Sequence, residues 1–212
     1  MHRRTALSVS AALLAAAPLL TACGSDAHPG AAAVVGGQRI EVSSLQAQVE
    51  DVRAAQQASP NASQLIRETG DLSRRKLHDM IFDRVAAKVA EDNGITASRA
   101  EIQQARGEFV RQSGGEQQLR AALLQQRGVA PDQVDEVARR AVLMNKIAAK
   151  LGAGNTPEGQ KKLTDAFSQA SKELRIDVNP RYGSWDDEKI QLATYTAPWV
   201  RQISQTAPEA GA

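Results

Sequence analysis

Between residues 131 and 151 apolar side chains return at steps of three and four: Val134, Val137, Ala141, Met144, Ala148 and Leu151. That spacing puts them on one face of a helix. Pro131 suits the first helical position, where a missing N–H leaves nothing unpaired. The same period marks five further stretches. Leu45, Val49 and Val52 predict a helix over about residues 43–57, with Ser43 and Gln46 spaced as a capping box. Ser59-Pro60-Asn61 interrupts it. Leu77, Met80, Ile81, Val85 and Val89 predict a helix over about residues 72–93, stopped by Gly94. Ser98 and Glu101 form a second capping-box pattern ahead of a helix with Ile102, Ala105 and Phe109 inside, ended by Ser113-Gly114-Gly115. A short helix with Leu119, Ala122 and Leu123 ends at Gly128, and a last one, capped by Thr156, turns Leu163, Phe167, Ala170 and Leu174 inward.

Two stretches break this period. Ala33-Val34-Val35 and Gln38-Arg39-Ile40 flank Gly36-Gly37, the pattern of a tight hairpin whose turn needs positive φ. In residues 175–185, Ile176 and Val178 alternate with polar residues as a half-buried strand does, and Pro180 confines that strand to an edge or ends it. A lone strand cannot satisfy its own N–H and C=O groups. The chain is therefore expected to leave a small sheet, build a helical body and return to the same sheet. The fold class is mostly α: a multi-helix bundle with a small β element formed by the N-terminal hairpin and a returning C-terminal strand. Residues 186–212 carry no clear period and read as an irregular tail.

Composition sharpens this picture. Aromatic residues make up only 3% of the chain, and four of them, Tyr182, Trp185, Tyr195 and Trp199, crowd near the C-terminus. The helical body holds only Phe82, Phe109 and Phe167, so its core is built from Ala, Leu, Val and Ile, which suits close-packed helices better than a β-sandwich. The formal charge of +2 includes Arg3 and Arg4 of a segment expected to be removed. The balanced remainder argues against a nucleic-acid groove.

Residues 1–22 read as an export signal. Arg3-Arg4 are followed by an apolar run over residues 6–20, too short for a spanning helix of about 20 residues. The run ends in Leu20-Thr21-Ala22-Cys23, which resembles the lipobox of bacterial lipoproteins. The resemblance implies a diacylglycerol on the Cys23 thiol, cleavage just before it and acylation of the freed amine. A plain cleaved signal with an incidental cysteine is the competing reading. As the chain's single cysteine, Cys23 has no disulfide framework to join. Several acyl chains anchor a protein firmly, at about 0.8 kcal/mol per buried CH2. Residues 23–32 then form a tether spanning roughly 17 Å, which sets the domain over residues 33–185 close to the extracytoplasmic face of the cell membrane.

Catalytic chemistry has little to draw on. Of three histidines, His2 lies in the signal and His28 in the tether, and His78 beside an apolar helix face reads as a packing or solvated residue. With one cysteine, neither a Ser–His–Asp or Cys–His site nor a zinc site is expected, and without a G-x-x-x-x-G-K-[ST] loop neither is nucleotide use. Asp186-Asp187-Glu188 lacks EF-hand spacing and reads as a solvated charge run. Met80 and Met144 sit on apolar faces, where core packing competes with an adaptable binding surface. Tyr182 and Trp185 are candidates for client contact, since such residues are enriched in binding hot spots, with packing of the closing strand as the competing role.

Several words of the sequence share an order with a known family. Val35-Gly36-Gly37-Gln38-Arg39-Ile40-Glu41-Val42-Ser43 resembles an opening V-N-G-x-x-I-T-x-x-E-L. Asn93-Gly94-Ile95-Thr96 resembles the G-I-T/V-S that starts the third helix there, Gly128-Val129-Ala130-Pro131-Asp132 the break before its long helix, and Asn179-Pro180-Arg181-Tyr182-Gly183 its closing strand. Together they resemble the N-terminal chaperone domain of SurA-like and PrsA-like extracytoplasmic foldases, related to the peptide-binding region of trigger factor. Many members carry a parvulin prolyl isomerase between the long helix and the last one. Here residues 152–155 stand in that place, too few for such a module. The resemblance implies a membrane-anchored, ATP-independent holdase for unfolded exported polypeptides, with no catalytic residue, metal or cofactor beyond the acyl anchor on Cys23. A non-enzymatic envelope scaffold with one dedicated partner is the alternative, and prolyl isomerisation a distant third.

Overall fold

The computed structural model describes residues 29–154 and 156–194. Cys23, the export segment, most of the tether, and Tyr195 and Trp199 lie outside the described residues.

The chain opens with strand β1 (Ala31–Val35) and strand β2 (Gln38–Glu41), paired antiparallel with Val35 opposite Gln38. Gly36 and Gly37 join them with φ of 59° and 75°. Both are left-handed, as this two-residue turn requires. Gly36 is also pressed against the far end of the domain: its N–H donates to the Leu174 carbonyl at 2.6 Å, and a Cβ there would lie 2.8 Å from Leu174 Cδ2.

Seven α-helices follow among the described residues: α1 (Val42–Gln57), α2 (Ala62–Glu68), α3 (Leu72–Asp92), α4 (Arg99–Ser113), α5 (Glu116–Arg127), α6 (Val134–Lys150) and α7 (Pro157–Leu174). A single 3-10 turn, Pro131–Gln133, leads into α6. Strand β3 (Asp177–Val178) then returns to the first sheet, whose order is β2-β1-β3. Ala33 stands opposite Ile40 on one side and Val178 on the other. Asn179 extends the contact, donating from N to Ala32 O at 3.0 Å and from Nδ2 to Ala31 O at 3.2 Å. The two ends of the domain meet as the strand pattern requires.

That central strand begins earlier than expected. Ala31 and Ala32, assigned to the tether, belong to β1, and Ala31, Ala32 and Ala33 are all fully buried. Alanine is a poor strand former, so propensity hides the strand. Its small side chain nevertheless lets β1 lie between two strands under α1 and α3. The main core gathers Leu77, Ile81 and Val85 of α3 with Ile40, Leu45, Ile147, Phe167 and Val178. A smaller cluster joins Val52, Leu65, Leu72, Leu124 and Ala130.

Local signals are met unevenly. Ser98 Oγ accepts from the Glu101 N–H at 3.3 Å while Glu101 Oε2 accepts from the Ser98 N–H at 2.8 Å, a complete capping box. Thr156 Oγ1 accepts from the Gly159 N–H at 3.1 Å. The Ser43–Gln46 box does not form. β2 runs straight into α1 with Glu41 as an uncapped N-cap, so Ser43 is already inside the first turn. Helix α2 was not separately expected. A buried polar knot holds it to α1: Arg53 donates to Thr69 Oγ1 and to Thr69 O, both at 2.7 Å, and Gln56 Nε2 donates to Thr69 Oγ1 at 3.1 Å.

Glu101 also accepts from Lys146 Nζ at 2.7 Å, fastening α4 to α6. The hydrogen bond from Lys146, followed by those from Ser98, pulls its carboxyl from 4.5 to about 2. A depressed carboxylate contributes stability that is complete above its unfolded value and fades as pH falls through the folded one. α4 should therefore loosen between about pH 4.5 and 2. A carboxyl NMR titration checks this. Lys146→Met should move the Glu101 midpoint up toward the ordinary value of about 4.3, and an unmoved midpoint would show that the contact is not formed.

The chain does not turn irregular at Asp186. Strands β4 (Ser184–Asp186) and β5 (Gln191–Ala193) form a second antiparallel hairpin, with Trp185 opposite Leu192. Asp186 Oδ1 accepts from the N–H groups of Glu188 and Lys189, both at 3.0 Å. The acidic run is thus partly the turn itself, in the manner of aspartates that fold back on their own backbone.

Candidate functional site

Helix α3 contributes residues to several cavities of the domain. Its inner residues are sealed in the core, and its remaining surface borders α6 and the second hairpin. A row of rings runs along this border. His78 lies 5.7 Å from the Trp185 ring and stacks at 6.2 Å on Phe82, which stacks at 5.6 Å on Phe167. His78 Nε2 contacts the Ile190 carbonyl at 3.3 Å. A carbonyl only accepts, so in this contact the ring nitrogen is the donor. His78 therefore ties α3 to the hairpin.

Three cavities lie against α3. The largest, of about 500 Å³, lies between α3, the end of α5, α6 and β5, with Arg74, Arg75, Arg127, Val129, Val137 and Leu192 in its wall. A second, of about 320 Å³, opens between α1, α3 and α6 and includes Met80, Arg84 and Leu143. A third, of about 210 Å³, is lined by Phe82, Met144, Leu163, Phe167 and Ile190. Met80 and Met144 are both half-buried: each packs on the core with one side and lines a cavity with the other.

Arg140 borders the first two cavities. Its guanidinium donates to both oxygens of Asp83, at 2.5 and 2.8 Å, and to Asp79 at 3.4 Å. Burial works against the Asp79 carboxylate, yet the approach of His78 and the charge of Arg140 outweigh it and hold Asp79 below the usual range. Burial, and then repulsion from Asp83, pushes Glu136 the other way. Lys76 is 4% exposed and donates to Gln133 Oε1 at 2.7 Å. Desolvation lowers its pKa although Asp79 and Glu136 oppose this.

The two residues named as candidates for client contact both take part in packing. Tyr182 is 9% exposed and belongs to the main core, with the Arg181 guanidinium 5.1 Å above its ring. Trp185 is half-buried, and its Nε1 donates to the buried Ser171 Oγ at 2.7 Å. Trp185 thereby fastens the closing segment to α7 through Ser171 and to α3 through His78. Asp187 takes the Ser171 hydroxyl and Asp186 forms the turn, so neither is a free ligand. Among the described residues no cluster of three or more His, Cys, Asp or Glu side chains is suited to a metal ion.

A model of the SurA-like N-terminal domain family matches residues 3–148. The chain belongs to that family. No curated protein and no solved structure matches the chain. The match covers the leading segment and everything from β1 to most of α6. α7 and both closing elements lie beyond it. In this SurA-like domain those later elements are nonetheless integral: β3 completes the first sheet, and β4–β5 supplies walls to two cavities.

The sequence reading missed Arg74, Arg75, Arg127, Ile190 and Leu192 as cavity residues. The alternation of Ile190 and Leu192 with polar neighbours, just after a turn-forming acidic run, was the available signal for the hairpin. The arginines gave none, since an Arg-Arg pair on a helix is ordinarily a solvated face.

Proposed function

We propose that this chain is a membrane-anchored, ATP-independent chaperone that holds unfolded exported polypeptides on the extracytoplasmic face of the cell membrane. The observation that carries this is a SurA-like domain that offers several open cavities with half-buried apolar residues in their walls, in place of one enclosed pocket. Met80, Phe82, Val137, Met144 and Leu192 each expose part of an apolar surface there. Such contacts are individually weak, which suits a holder that must release its client. Methionine adapts to many shapes, and the charged rims keep the free protein from associating with itself. Anchoring near the export site raises the effective concentration of the domain at emerging chains. On this reading the anchor is the acylated Cys23, and the protein has no isomerase activity: α6 and α7 are joined by residues 151–156 alone.

Mixing the mature chain with a denatured client should delay the rise of light scattering. No delay at equimolar or higher ratios would reject the holding role. In bacterial cells fed a labelled fatty acid, the wild-type protein should take up label and Cys23→Ala should not; undiminished labelling of the variant would reject the anchor.

A further inference from the structure

The largest cavity carries a charge pattern that holding apolar segments does not need. Arg74 and Arg75 of α3 and Arg127 at the end of α5 face one space. Arg74 Nε, Arg75 Nε and Arg75 Nη2 are buried without a hydrogen-bond partner. Arg75 Nε does lie 2.9 Å from Asp71 Oδ1, but the approach is a charge contact without hydrogen-bond alignment. Buried polar atoms are almost always paired, so the guanidiniums of Arg74 and Arg75, which line this cavity, carry donor capacity that the protein itself does not meet.

The charges do not cancel either. Asp71 is matched by Arg75, while Asp79 and Asp83 share the single charge of Arg140. Arg74 and Arg127 have no acidic partner among the described residues, so the cavity holds a surplus of positive charge. Arg106, which also has an unpaired Nε, differs: Glu116 and Asp135 lie 2.6 and 3.3 Å from its guanidinium. Beside the arginines stand Val129, Val137 and Leu192. The site therefore joins an anion-seeking half to an apolar half within a volume of about 500 Å³, large enough for a few side chains.

We infer that this cavity is a carboxylate-binding pocket that seats an acidic side chain of a client polypeptide, with the client's neighbouring apolar residue against Val129, Val137 and Leu192. The inference rests on the holding role proposed above and narrows it, from any unfolded segment to segments that mix acidic and apolar residues. Arginine suits the task because its planar fork meets both oxygens of a carboxylate. A lipid phosphate shares the negative charge. The pocket, however, is concave, with walls from four separate elements and an apolar side within it, which fits an inserted side chain better than a headgroup fixed in the plane of a bilayer.

Fluorescence anisotropy of the mature chain with two short labelled peptides tests this. One alternates Leu with Glu, and its twin has Gln in place of Glu. The acidic peptide should bind about tenfold tighter, the size expected for a charged hydrogen-bonded contact, and added salt should narrow the gap. In Arg74→Gln/Arg127→Gln the gap should vanish. Should the double variant misfold by circular dichroism, Arg127→Gln alone, at an exposed position, should still shrink it. Equal binding of the twins by the wild type, or a gap untouched by the substitutions, overturns the inference. Failure of the acidic peptide to bind while client aggregation is still delayed overturns the pocket and leaves the holding role standing. A tenfold gap without any aggregation delay does the reverse. Arginine-dependent binding of phosphatidylglycerol vesicles in place of the peptide would make the cavity a membrane contact and overturn the assignment.

Discussion

Ile81→Ala lowers the unfolding free energy by about 2–5 kcal/mol, the cost of deleting a fully buried branched side chain from a core that cannot collapse around the gap. Ile81 is fully buried at the middle of α3, between Leu77 and Val85 on the same stripe. The cluster it belongs to includes Ala33 and Ile40 from the start of the domain and Phe167 and Val178 from its end. A cavity here separates the two ends of the chain from the helix that joins them. Small domains are stable by about 5–15 kcal/mol in total, so the loss is a large share. Urea unfolding followed by far-ultraviolet circular dichroism measures it. Gln125→Ala on the exposed side of α5 should stay within about 0.5 kcal/mol. A loss under about 1 kcal/mol for Ile81→Ala would mean that α3 is not the element the rest packs upon.

The parts of the fold that were legible in sequence are those fixed by local chemistry. Gly36-Gly37 announces a hairpin because few other residues adopt two successive positive φ values, and the Ser98–Glu101 and Thr156 caps follow from side chains that reach only their own helix ends. The return of β3 was legible for another reason: an isolated strand demands a partner, and the sequence offered one. What a helix face touches was less legible. On α6 the stripe's first residue, Val134, is buried, but Val137, Ala141, Met144, Ala148 and Leu151 are only half-buried, whereas Ala138, Leu143 and Ile147 to either side are buried. The reason is that α6 lies between α3 and α4, each covering a different flank. Periodicity finds an apolar face without saying how many neighbours cover it. The inner face expected for α4, with Ile102, Ala105 and Phe109, shows the same limit, since no residue of that helix is fully buried.

The candidate site was less legible still. The aromatic residues near the C-terminus left client contact and packing both open, and the structure gives both a packing role: Tyr182 is core, and Trp185 contacts Ser171 and His78. The cavities are products of tertiary arrangement. Arg74 and Arg75 come from α3, Arg127 from α5 and Leu192 from a strand that follows nearly all the rest of the domain. No spacing along the chain links them. The hairpin escaped notice because its strands are only three residues each and its turn depends on a side-chain oxygen, with Ile190 at the unusual φ of 52°.

That hairpin is also where a single methyl group has the sharpest expected consequence. Gly183 has φ of 131°, a conformation L side chains rarely adopt, and a Cβ there would lie 2.2 Å from the Ala193 carbonyl oxygen. Gly183→Ala must therefore break the pairing of Ser184 with Ala193 next to it. Backbone strain of this kind costs about 1–3 kcal/mol, which corresponds to roughly 5–150-fold faster amide exchange across residues 184–193. The main core should survive, because the hairpin reaches it only through the half-buried Trp185, Ile190 and Leu192. The urea midpoint should accordingly move far less than in Ile81→Ala. What is lost is the wall: Leu192 leaves the arginine-lined cavity, Ile190 leaves the aromatic one, and His78 loses the carbonyl it holds. Client holding and acidic-peptide binding should fall together while the helices stay folded. Unchanged amide exchange at Trp185 and Leu192 would show that the hairpin tolerates the methyl group. Fast exchange with full holding activity would show that clients bind elsewhere than against this wall.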